Sequence, residues 1–71
     1  MTSVGEEMPK AIKRAQQVRD QFIELRGLPN VMVEPQIMMI TAEIDAAVDA
    51  LVSGDAVAII RAYAAIRGYQ P

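Results

Sequence analysis

From Glu43 to Tyr69 the chain reads EIDAAVDALVSGDAVAIIRAYAAIRGY. Two apolar, alanine-rich segments meet there at Ser53-Gly54-Asp55. Glycine can take the left-handed conformation that closes a helix. An aspartate directly after it can accept hydrogen bonds from the first free N–H groups of a following helix. The stretch therefore predicts a helix, a tight joint and a second helix, over residues 35–53 and 56–67. So short a joint makes the two helices neighbours, antiparallel or steeply crossed. Gly68 then stands in the stop position of the last helix, and Tyr69-Gln70-Pro71 forms a tail.

In the helix of residues 35–53, which Pro35 can open, Ile37, Ile40, Ile44, Ala47/Val48 and Leu51 make the core stripe. Ala42, Ala46 and Ala50 recur every fourth residue on another face and would let a second helix backbone come close. Met38 and Met39 lie off the isoleucine stripe, where a lone protomer would leave them in water. "LPNVMVEP" before this helix reads as a connector. Upstream of it, Ala11, Ala15, Val18, Phe22 and Leu25 follow a helical seam, opposite a polar arc of Lys10, Lys13, Arg14, Gln17, Asp20, Gln21 and Glu24. This first helix is expected over residues 9–26. Ser3 and Glu6 would make an earlier capping box, but that start places Pro9 inside the helix. Gly27 and Pro29 mark its end. The fold class is thus all-α: a basic amphipathic helix followed by an antiparallel helical hairpin, in one domain spanning residues 1–71.

Composition narrows the chemistry. The 71 residues are 52% hydrophobic and contain no Cys, His or Trp. Disulfides, thiolate metal sites, the commonest metal ligand and the commonest general base are all absent. No serine or threonine has a histidine beside it to act as base, so catalysis is not expected, and neither a metal nor a cofactor is called for. The N-terminal residues carry no basic and apolar leader, and no apolar run approaches the roughly 20 residues that span a bilayer. A cytoplasmic protein that does not enter membranes is expected. The net charge of −2 comes from a basic, acidic, basic succession along the chain. Neighbouring helices of opposite sign would attract one another, and without a continuous basic stripe duplex nucleic acid is a poor partner.

The last helix poses the sharpest question, because it is apolar on every side. Ala56, Val57, Ile60 and Ala64 can cover one side, while Ile59, Ala62, Tyr63 and Ile66 fill much of the other. Two other helices cannot enclose it, and a small domain without disulfides or metal often gains stability by self-association. A homo-oligomer, dimeric or dimer-based, is therefore expected. Its interface should include Met38, Met39, Ala42, Ala46, Ala50, Ile59, Tyr63 and Ile66.

One constellation points to a ligand. Arg19, Arg26, Arg61 and Arg67 offer planar forks suited to phosphate, and Tyr63 and Tyr69 offer faces for a base. Gathered at a subunit interface, these groups would suit a small anionic, nucleotide-like ligand. Read more plainly, Arg61 and Arg67 favour a helix C-terminus and Tyr63 is packing. Asp45 and Asp49, one turn apart, are expected to pair with Arg19 or Arg26. A third reading makes Met38, Met39, Val31, Met32 and Val33 an adaptable docking patch for another protein.

The stretch Glu43–Tyr69 also resembles small helical accessory proteins of tailed bacteriophages, in which an Asp/Ala-rich helix, a Gly-Asp joint and a short helix ending in Arg-Gly-Tyr recur. The resemblance implies an anti-defence role, either by sequestering a nucleotide signal at subunit interfaces or by covering a host protein. A structural part in assembly is the other role it allows. It transfers no site residue.

Overall fold

The computed structural model describes residues 3–71. Three helices follow one another: α1 (Val4–Leu25), α2 (Glu34–Ser53) and α3 (Ala56–Ile66). Among the described residues there is no strand, and each helix packs on both others. The all-α architecture is as the sequence pattern requires.

α1 begins at Val4, earlier than the expected start at Pro9. Ser3 is its N-cap, in extended conformation, with Oγ accepting from the Glu6 N–H at 3.2 Å. Pro9 lies inside the helix and leaves the Gly5 carbonyl without its usual donor. Gly5 and Pro9 are both exposed, so water can serve that carbonyl. The longer helix gains Met8, which is completely buried with Ala11, Ile12, Ala15 and Val18. Burying a side chain of that size stabilises by about 1.5–3 kcal/mol, which offsets the missing bond.

The helix ends use their glycines differently. Gly54 takes φ 73°, its N–H bonds the Ala50 carbonyl, and Asp55 accepts from the N–H groups of Val57 and Ala58 at 2.9 and 3.2 Å. That joint forms as read from the sequence. Gly27 and Gly68, expected in the same left-handed role, do not adopt it. α1 and α3 close instead with tightened i to i+3 bonds, Arg26 to Ile23, Leu28 to Leu25 and Tyr69 to Ile66. Asn30 supplies the left-handed residue of the connector, and Leu28 is exposed.

The core joins Met8, Ala11, Ala15 and Val18 of α1 to Ile40, Ile44, Ala47 and Ala50 of α2 and to Ala62 and Ile66 of α3. No polar or charged side chain among the described residues is buried with them. Phe22, Leu51, Ile59 and Tyr63 pack on its edge. Leu25 and Val48, expected in the seams, are substantially exposed.

α3 has 11 residues against 20 in α2, so it covers only about half of its neighbour's length. It folds back along α2, since Tyr69 just past its end reaches Glu43 in the middle of α2. The first turns of α2, the end of α1 and the connector thus form a two-helix tip that α3 does not reach. The molecule is correspondingly long, 43 × 22 × 15 Å, with a radius of gyration of 13.2 Å. A compact domain of this length would have about 11 Å.

Candidate functional site

Two surfaces stand out, a groove between α2 and α3 and the apolar tip. The groove has a volume of about 460 Å³ and is lined by Ala42, Glu43 and Ala46 of α2 and by Ala58, Arg61, Ala62 and Ala65 of α3. Alanines at helical spacing on both helices leave a channel along their line of contact. Its only charges are Glu43 and Arg61, one on each wall. Glu43 accepts a hydrogen bond of 2.5 Å from the Tyr69 hydroxyl. Burial, then the hydrogen bond and charge of Glu43, push the Tyr69 phenol from 10.0 up to about 12, so it is a neutral donor near pH 7.

The six residues expected to gather on a ligand do not gather. Arg26 stands at the tip, where its Nε and Nη2 engage both oxygens of Glu34 at 2.5 and 3.3 Å. Arg19 is half-buried on α1, its Nε enclosed without a hydrogen-bond partner among the described residues. Tyr63 packs against the core, the Tyr69 hydroxyl is committed to Glu43, and Arg67 is exposed at the end of α3. Only Arg61 lines the groove. The expected pairing of Asp45 and Asp49 with Arg19 or Arg26 is not formed either. The ion pairs among the described residues are Lys10–Glu7 and Arg26–Glu34, and both aspartates face solvent.

The expected subunit interface also changes. Ile66 and Ala50 are inside the protomer, and Ile59 and Tyr63 pack on its core. α3 has turned its other side outward: Val57, Ile60 and Ala64 are exposed, with Ala56 beside them. The choice follows side-chain size. Ile59, Tyr63 and Ile66 bury more apolar area than Val57, Ile60 and two alanines would. Met38, Met39, Ala42 and Ala46 remain exposed.

At the tip, Ile23, Leu25, Leu28, Val31, Met32, Met38 and Met39 are all exposed, Met32 at 83%. Val33, expected in the same patch, is buried, as is Ile37, and together they anchor the start of α2. Sequence reasoning missed Ile23, Leu25 and Leu28 as part of this surface, because it placed Leu25 in the core seam of the first helix and did not follow how far along the other two helices the short last helix reaches. The shortness of the last helix was the available signal. It also missed Glu43, whose place opposite Arg61 follows only when turns are counted back from the joint at Gly54.

Among the described residues no group of three acidic side chains is placed to hold a metal ion, and no helix is long and apolar enough to cross a membrane. No family model, no curated protein and no solved structure matches this chain.

Proposed function

We propose that this chain is a non-enzymatic, oligomeric binding protein that works through exposed apolar surface. The observation that carries the reading is the distribution of its large apolar side chains. Among the described residues eight are buried, while eleven others lie exposed, seven of them at the tip. Contiguous exposed apolar surface of this kind marks contact sites, and methionines such as Met32, Met38 and Met39 adapt to differently shaped partners. A protein partner at the tip is the form best supported. The anti-defence setting implied by the phage resemblance, and a cytoplasmic location, belong to this proposal and draw on the sequence alone.

A titration with Nile red, an uncharged apolar probe, tests the tip. Saturable binding is expected, weakened severalfold in the Met32→Ser/Met38→Ser/Met39→Ser variant with circular dichroism unchanged. Equal binding by variant and parent would overturn the assignment of the tip.

One observation favours a second reading, a small anionic or nucleotide-like ligand: the groove holds the cation Arg61, which has no ion-pair partner among the described residues. The carboxylate of Glu43 on the facing wall opposes such a ligand. Calorimetric titration with mononucleotides and cyclic nucleotides would reveal it, as heat lost in Arg61→Ala.

A further inference from the structure

Glu43 and Arg61 face the α2–α3 groove from opposite walls, and neither forms an ion pair among the described residues. A patch with one charge of each sign is self-complementary, because a two-fold axis sets each cation against the other copy's anion. A free anion would meet Glu43 as well as Arg61, and a strongly charged partner would satisfy one and be opposed by the other. The rest of the lining is alanine, which gives room for a helix. Beside the Arg61 wall, the outer side of α3 carries Val57 and Ile60, both more than half exposed.

Surface area points the same way. The protomer exposes 4866 Å², whereas a compact monomer of this size exposes about 4,400 Å². A stable interface takes about 800 Å² per partner, roughly a sixth of the available surface.

We infer that the groove is occupied by a second copy of this chain. α3 of each copy lies along the α2–α3 groove of the other, and Arg61 of each meets Glu43 of the other. The inference rests on the reading that the protein is oligomeric, and adds the face, the symmetry and the charge pair that sets the register.

Sedimentation equilibrium of the wild type, Arg61→Glu, Glu43→Arg and an equimolar mixture of the two variants tests it, with circular dichroism reporting helix content. Each variant alone is expected to weaken self-association by about tenfold or more. The mixture should recover it, since both contacts in the mixed dimer again pair an arginine with a glutamate. Glu43→Arg removes the acceptor of the Tyr69 hydroxyl. If it loses helix, Glu43→Gln, which keeps an oxygen for Tyr69, should weaken the dimer in the folded state. A wild-type oligomer untouched by either charge reversal would overturn the groove assignment and leave the oligomeric reading standing. Variants that weaken alone but do not recover on mixing would overturn the reciprocal pairing. A wild-type monomer would overturn both, and a monomer whose Arg61 variants change nucleotide or probe binding would assign the groove to another occupant.

Discussion

Tyr69 is held twice over, by a ring packed on the core and by a hydroxyl that donates to Glu43. With its pKa raised to about 12, the folded chain keeps the phenol proton more tightly than the unfolded chain does. The stability drawn from this contact is therefore fully present below about pH 10 and is lost as the pH rises toward 12. The urea midpoint should fall across that window. Tyr69→Phe should flatten the fall and cost about 1 kcal/mol near neutral pH. A wild-type midpoint that is level from pH 10 to 12 would show that the contact contributes nothing. Asp55, whose side chain fixes backbone at the start of α3, was legible in advance because capping needs only local chemistry.

At the scale of the element, two glycines of α1 and α2 should respond oppositely to alanine. At Gly5 an added Cβ would meet only the Ser3 Oγ, at 3.7 Å, and the backbone is helical. Gly5→Ala should raise stability by about 0.5–1 kcal/mol through reduced chain entropy. Gly54 sits at φ 73°, so Gly54→Ala should lower it by about 1 kcal/mol. Thermal melts of the two variants, moving in opposite directions, would check both. Element order, the Gly54–Asp55 joint and the isoleucine stripe of α2 could be read from the sequence, because each follows from period and local capping. The start of α1 could not. Its cost at Pro9 is local, but the compensating burial of Met8 needs the other helices in place. The orientation of α3 escaped for a similar reason: with apolar residues on all sides, period carries no information, and relative side-chain volume decides.

Over the whole molecule, the division of α3 into an inner and an outer side separates folding from association. Ile66 is fully buried, and Ile66→Ala should cost about 2–5 kcal/mol, a large share of what so small a domain holds. Ile60 is more than half exposed, so Ile60→Ala should leave the urea midpoint of the separated protomer within about 0.5 kcal/mol and weaken association instead. Comparable losses of stability in the two variants would show that the inner and outer sides have been misassigned. The dispersed arginines belong to this scale too. Four of them in one sequence suggested one site, but the fold spends Arg26 on Glu34, leaves Arg19 on α1 and Arg67 at the end of α3, and brings only Arg61 to the groove. Which side chains converge is set by tertiary packing, and spacing along the chain does not contain it.

The central claim is that the apolar surface left outside the core is covered by another chain. Native mass spectrometry of the freshly purified wild type tests it most directly. The account predicts a discrete dimer, or an assembly of dimers, that persists at micromolar concentration and carries no catalytic cofactor mass. A bare monomer over the whole concentration range would contradict it.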